Sequence, residues 1–150
     1  MKLPKEIRKR FVTYGREGGK TRAARMSSEA RRATARRAAS SRWIRERFGD
    51  SSLAELGLPG GDMVDRGLAD LADGTISPES LVVSLAAPRL RREGLPIGSV
   101  QADPEDRLYE LLSRATGDLA HARYAAYLQQ IASFADACRF ARRRRAADAK

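Results

Sequence analysis

Apolar side chains recur at spacings of three and four along most of this chain, and nowhere do they alternate with period two for long enough to demand a sheet. The longest run is the last one. Ala120, Tyr124, Tyr127, Leu128, Ile131, Phe134, Ala135 and Cys138 mark a single helical face, and Asp118, just after Gly117, is placed to cap it. Upstream, Leu108, Leu111, Leu112 and Ala115 form a stripe introduced by Asp103-Pro104-Glu105. Ser77-Pro78-Glu79 introduces another stripe, of Leu81, Val82, Leu85 and Ala86. It combines a capping serine, a proline at the first helical position and an acid in the first turn. Pro88 either kinks that helix or begins a further short one that Gly94 stops, and residues 94–103 read as a loop. Before it, Asp62 is placed to cap a helix carrying Met63, Val64, Leu68 and Leu71 as far as Gly74.

The N-terminal third keeps the helical period but has fewer large side chains. Pro4 suits the first turn of a helix and Gly15 its end, with Leu3, Ile7, Phe11 and Tyr14 along one stripe. Gly18 and Gly19 predict a turn feeding a short helix through Ala23, Ala24 and Met26. Ser27 then caps a helix from Ser28 to about Phe48, which Gly49 closes. Met26, Ala30, Ala33, Ile44 and Phe48 share one face of it, interrupted by Arg37 and Ser41. Trp43 stands off that seam and is expected to pack on a neighbouring helix rather than stack on a base. Ser52 can cap a short helix through Leu56, and Leu58-Pro59-Gly60-Gly61 is the best linker in the chain. The expected fold is all-α, with five to seven helices. A loosely attached, basic, Arg-rich helical arm (1–49) leads through a short helix and linker (50–61) to a compact acidic all-α domain (62–140) and a basic tail (141–150).

Charge follows the same division. Residues 1–49 hold 16 Lys or Arg against 4 Asp or Glu, residues 50–138 hold 7 against 14, and residues 139–150 hold 6 against 1. Basic ends of this kind draw in a polyanion through its phosphates, a strong attraction that carries no sequence information. Nearly all the cations of the second helix are arginine, which forks bidentately onto phosphate or guanine, and the small alanines between them permit close approach to a groove. Lys20, Arg22, Arg25, Arg31, Arg32, Arg36, Arg42 and Arg45 are therefore the candidate nucleic-acid contacts, with DNA ahead of RNA.

Other chemistry finds little support. Gly15-Arg16-Glu17-Gly18-Gly19-Lys20-Thr21 invites a phosphate-loop reading, but the first glycine of that motif would have to stand at Tyr14, and no apolar strand precedes it. His121 has no carboxylate or nucleophile at supportive sequence spacing and reads as a helix-surface histidine. The single Cys138 forms no internal disulfide and, with one histidine in the chain, builds no zinc site. No catalytic residue, metal or cofactor is expected. No apolar segment follows the basic start and none is long enough to span a bilayer, so the expectation is a cytoplasmic protein without membrane contact.

Two parts of the chain resemble known sequences. Tyr14-Gly15-Arg16-Glu17-Gly18-Gly19, Arg22-Ala23-Ala24-Arg25-Met26-Ser27, and Arg36-Arg37-Ala38-Ala39 with Arg42-Trp43 resemble a recurrent bacterial segment. Its usual form is a G-R-x-G-G turn, an R-A-x-x-[LM]-S step and an alanine-rich basic helix ending in A-R-W. Here Ala30 and Thr34 replace residues that are commonly Glu and Ile, and Ser41 takes the alanine before Arg42-Trp43. The second part spans residues 66–140. Ala86-Ala87-Pro88-Arg89-Leu90-Arg91, Arg107-Leu108-Tyr109-Glu110-Leu111-Leu112, Ala120-His121-Ala122-Arg123-Tyr124 and Ser133-Phe134-Ala135-Asp136-Ala137-Cys138 resemble small bacterial proteins encoded beside nucleotidyltransferase-like proteins of AbiE-type toxin–antitoxin systems. That resemblance implies a nucleotidyltransferase-like protein partner and an antitoxin-like role. It supplies no catalytic residues.

Two function classes follow. One is a non-enzymatic adaptor, with a basic arm for nucleic acid and an acidic helical domain that docks a partner. The other is a basic RNA- or ribosome-associated protein whose middle is only a scaffold. An enzyme has no supporting constellation of residues.

Overall fold

The computed structural model describes residues 4–48 and 52–148. Among them are six α-helices, one 3-10 turn and no strand: α1 (Lys5–Arg25), α2 (Ser28–Phe48), α3 (Gly61–Asp73), α4 (Pro78–Arg92), α5 (Pro104–Thr116), the 3-10 turn Gly117–Leu119, and α6 (Ala120–Asp148). The all-α expectation holds. No helix of the described residues is long and apolar enough to cross a membrane. The chain divides into two compact units, Met1–Ala35 and Arg36–Lys150.

In the smaller unit, α1 runs unbroken through Gly15, Gly18 and Gly19, where the sequence predicts an end and a turn. None of the three has a positive φ, so each simply continues the helix. A glycine inside a helix costs about 0.5–1 kcal/mol relative to alanine, which weakens a helix without stopping it. Thr13 and Thr21 donate to the carbonyls of Lys9 and Glu17, each at 3.0 Å, as threonines within a regular helix do. The break comes at Met26, which is extended, and Ser27 caps α2 by accepting from the Ala30 N–H at 3.1 Å. Gly49, expected to close α2, lies outside the described residues, as does the side chain of Trp43.

The larger unit is built around α4, whose Leu81, Val82, Val83, Ala87 and Leu90 are all buried. Ser77 starts it with a reciprocal capping box: its hydroxyl accepts from Ser80 N at 3.0 Å, and the Ser80 hydroxyl accepts from Ser77 N at 2.9 Å. Pro88 lies inside the helix on an exposed position and starts no new element. The helix ends with Gly94 at φ +95°, while Leu95 N donates to Leu90 O and Gly94 N to Arg91 O. This is a Schellman closure sealed by two buried leucines. The loop that follows is held by Arg91, which donates to Ile97 O at 2.9 Å and Gly98 O at 2.6 Å, and by Gln101 N on the Ser84 hydroxyl.

Three predicted starts move. α3 begins at Gly61 with Gly60 (φ +76°) before it, so Asp62 lies in the first turn instead of capping. Residues 53–57 form a turn where a short helix was expected, although Ser52 does accept from Glu55 N at 3.2 Å. Gly57, at φ +65° with its N–H on Ala54 O at 3.0 Å, closes the segment as a turn before a helix can extend. The Asp65 carboxylate reaches back from α3 to accept from the N–H groups of Leu53 and Ala54 at 3.1 and 2.9 Å and holds this turn, with Leu53 in the core. Asp118 sits in the 3-10 turn, and α6 starts at Ala120 without it as a cap.

The core joins α4 to Met63, Val64 and Leu71 of α3, Leu108 and Leu112 of α5, and Ile131, Phe134, Ala135 and Cys138 of α6. It also includes Ile44 of α2 and Leu53, which precede the 62–140 stretch. α3 approaches α4 at Gly67, where a Cβ would stand 2.5 Å from the Glu79 carbonyl oxygen and 2.6 Å from Val83 Cγ2. Burial, reinforced by the charge of Glu93, pushes the Cys138 thiol up to about 12 from 9.0.

Glycines of the two units should therefore respond in opposite directions to substitution. Gly67→Ala should destabilise the fold by about 1–3 kcal/mol in urea titration, because backbone must move to admit the methyl. Gly15→Ala, Gly18→Ala and Gly19→Ala meet nothing within 4 Å and should raise helicity by circular dichroism. Cys138 should resist a disulfide-exchange reagent in the native state and react on unfolding. Since its folded pKa is raised, its contribution to stability is constant below pH about 9 and declines as pH rises from there towards about 12. Rapid native-state labelling at neutral pH would contradict this placement of the thiol.

Candidate nucleic-acid interface

Each sequence-predicted contact is exposed. Lys20, Arg22 and Arg25 occupy the last turns of α1, and Arg31 and Arg32 the first turns of α2, all in the smaller unit. Arg36, Arg42 and Arg45 lie on the part of α2 that belongs to the larger unit. There Ile44, 4% exposed, anchors the helix to the core and leaves Arg42 and Arg45 in solvent. Arg36 borders a shallow apolar depression formed by Leu68, Leu71, Pro96 and Ile97. The phosphate-loop residues Gly15 to Thr21 are all helical, so their N–H groups are directed along α1 and form no cradle.

Among the described residues, none of these eight cations forms an ion pair; in the same region only Arg37 does, with Asp73. The acids behave differently. Asp62 pairs with Arg66 at 3.1 Å, Asp136 with Arg89 at 2.7 Å, and Glu110 with Arg114. Asp65 holds the Leu53 turn, Asp70 accepts from the Ser77 hydroxyl at 2.5 Å, and Glu105 accepts from the Tyr124 hydroxyl at 2.9 Å. Asp103, Asp106 and Asp118 are without an ion pair among the described residues. Among the described residues, most acids of residues 52–138 thus have an ion-pair or hydrogen-bond partner, whereas the eight candidate cations form no ion pair. Sequence spacing could not reveal this, because several of these partners are far apart along the chain.

A second basic end is built by α6. Glu93, 5% exposed at the end of α4, receives Arg139 Nε at 3.2 Å, and Arg142 lies 3.4 Å from its other oxygen. That second contact is an ion pair without hydrogen-bond geometry, since Glu93 Oε2 has no hydrogen-bond partner. Arg142 also donates to Arg92 O at 3.1 Å. The helix is thereby tied down at Arg142, and Arg143 and Arg144 beyond it are exposed. Sequence inspection gave no sign of Glu93, whose role depends on the meeting of α4 and α6.

One further depression lies between α5 and α6, lined by Glu105, Asp106, Tyr109, Glu110, His121 and Tyr124. The fold therefore brings His121 to three carboxylates that its sequence spacing did not place near it. His121 is exposed and makes no hydrogen bond or ion pair with them among the described residues. Tyr109 and Tyr124 meet edge to face with centroids 5.8 Å apart. Slight burial, then the hydrogen bond to Glu105 and its charge, hold the Tyr124 phenol above its ordinary value. No group of three or more His, Cys, Asp or Glu that could hold a metal occurs among the described residues. Comparison of the chain with protein-family models, with curated proteins and with solved structures returned no match.

The Glu93 cluster should respond asymmetrically. Arg139 and Arg142 are 42% and 46% exposed in their side chains, so removing Glu93 leaves two cations that water can solvate. Removing both arginines leaves a buried carboxylate alone. R139Q/R142Q should cost about 3–5 kcal/mol, against about 1–3 kcal/mol for E93Q, by urea denaturation. The reverse order would show that the carboxylate is not shielded as described.

Proposed function

We propose that this chain is a non-enzymatic nucleic-acid-binding adaptor whose arginine-rich N-terminal helices contact phosphate and whose helical body docks a partner protein. The observation that carries this reading is the asymmetry of pairing: the acids are largely engaged within the fold, whereas Lys20, Arg22, Arg25, Arg31, Arg32, Arg36, Arg42 and Arg45 are exposed without ion pairs. With 16 Lys or Arg against 4 Asp or Glu over residues 1–49, the local potential is strongly positive and attracts the phosphates of a polyanion. For the partner, the resemblance of residues 66–140 points to a nucleotidyltransferase-like protein. The α5–α6 depression, where Asp106 forms no ion pair among the described residues and the exposed Glu105 and Glu110 keep further acceptor positions beside Tyr109, suits a basic face of such a protein.

Replacing Arg31, Arg32, Arg36, Arg42 and Arg45 together by Gln should weaken binding to unrelated duplexes about equally. It should also flatten the slope of log affinity against log salt by about 0.9 per lost phosphate contact. Fluorescence anisotropy across a salt series reads both, and an unchanged slope with unchanged affinity would refute the phosphate contacts. In the same way, E105Q/D106N/E110Q should reduce co-purification of a co-expressed nucleotidyltransferase-like partner, whereas the five-arginine variant should retain it.

A further inference from the structure

Among the described residues, α1 carries large apolar side chains that are exposed. It has no buried residue, and Ile7, Phe11 and Tyr14 are 42%, 65% and 69% exposed. At 3.6 residues per turn, Ile7, Phe11, Tyr14 and Gly18 fall within an arc of roughly 60°. Arg8 flanks this arc on one side and Arg10 on the other, and Arg22 and Arg25 continue it towards the end of the helix. At Gly18 nothing lies within 4 Å of the place a Cβ would take, so the backbone is bare next to the rings.

We propose that Phe11 and Tyr14 form a stacking platform for unpaired bases of a single-stranded nucleic acid, with Arg8 and Arg10 on its phosphates. This extends the phosphate-binding reading to a second, chemically distinct contact and rests on it. Charge selects the occupant. Over Lys5–Arg25 eight Lys or Arg stand against Glu6 and Glu17, which lie on the Arg10 side of the arc, so a second copy of α1 laid on it would bring two net-positive helices together. A duplex satisfies arginines but offers rings no free base faces, because its bases are already stacked. A single strand offers both phosphates and open π-faces, and aromatic rings interleaved with cations are the usual platform for it. Phe11 and Tyr14 are separated by a rise of about 4.5 Å along the helix, against about 3.4 Å between successive bases of a strand. Neighbouring bases can therefore lie on neighbouring rings. An interfacial membrane helix would need a broad apolar face, and here Val12 stands off the arc among Lys5, Arg8 and Lys9.

The test uses the full chain with a fluorescent oligouridylate, the matching oligothymidylate and a mixed-sequence duplex. F11A/Y14A should weaken binding to the single strands by roughly tenfold to a hundredfold, as expected for loss of base stacking, while leaving duplex affinity within about twofold. F11Y/Y14F should restore single-strand binding, and the circular dichroism of both variants should match the parent, since the rings cover no core. Binding of both single strands assigns the contact to the base faces, and binding of the uridylate alone adds the ribose hydroxyl; either supports the platform. Equal losses on duplex and single strand, or no loss on either, would overturn it while the arginine contacts stand. A dimer seen by light scattering that F11A/Y14A abolishes would instead make a second copy the occupant and also overturn it. Failure of the parent chain to bind any of the three nucleic acids would remove both readings.

Discussion

The approach of α3 to α4 at Gly67 fixes where every other helix of the larger unit can go. Without a side chain there, the backbone of α3 comes against the Glu79 carbonyl and Val83, and Met63, Val64 and Leu71 reach the core from one side of α4. The remaining sides of α4 are left to α5 and α6. The same geometry carries the preceding turn with it, because Asp65 on α3 holds the N–H groups of Leu53 and Ala54. Gly61 repeats the device on a smaller scale, since a Cβ there would stand 2.5 Å from the Leu53 carbonyl oxygen. Two residues lacking side chains thus set the spacing of the body, and the buried aliphatics fill what that spacing leaves.

The electrostatic character of the protein follows from this packing. Acids placed where helices meet acquire local duties: Glu93 anchors Arg139 and Arg142, Asp70 joins the start of α4, Asp136 holds Arg89 and Glu105 holds Tyr124. Among the described residues, Arg37 alone of the cations of α1 and α2 forms an ion pair. Ion pairing removes charges of both signs equally, so the formal charge of +10 stays on the unpaired groups, and it is concentrated at the two basic ends of the chain. Screening acts most strongly on exposed charges, so salt weakens outward attraction long before it disturbs the partly buried pairs of the body.

Elements with local signals were legible in the sequence. Ser77-Pro78 starts α4, Gly74 ends α3 with Thr75 N on Asp70 O, and the stripe from Ala120 to Cys138 is the buried side of α6. What failed was punctuation whose effect depends on context. Gly15 predicts a helix end and Gly18 with Gly19 a turn, yet a helix tolerates each at modest cost. Asp103 does precede α5, but at φ +46° its side chain makes no capping hydrogen bond. Asp62 and Asp118 resembled caps, and the chain starts its helices beside them. The candidate cations were legible as a set. That they are unpaired was not, nor was the exposure of Phe11 and Tyr14, because a helical stripe of apolar residues looks the same whether or not a core receives it.

The lack of any buried side chain on α1 also determines how that helix opens. No packing has to be broken for its hydrogen bonds to open, so its amides exchange with solvent through local fluctuations, on a timescale set by the helix itself. The amides of α4, with Leu81, Val82 and Val83 fully buried, exchange only when the whole core comes apart. The two helices therefore report on different events within one molecule. Occupancy of α1 would register as slowed exchange along Lys5–Arg25 while the melting of the body stayed where it was, and a change in the core would register in the opposite pattern.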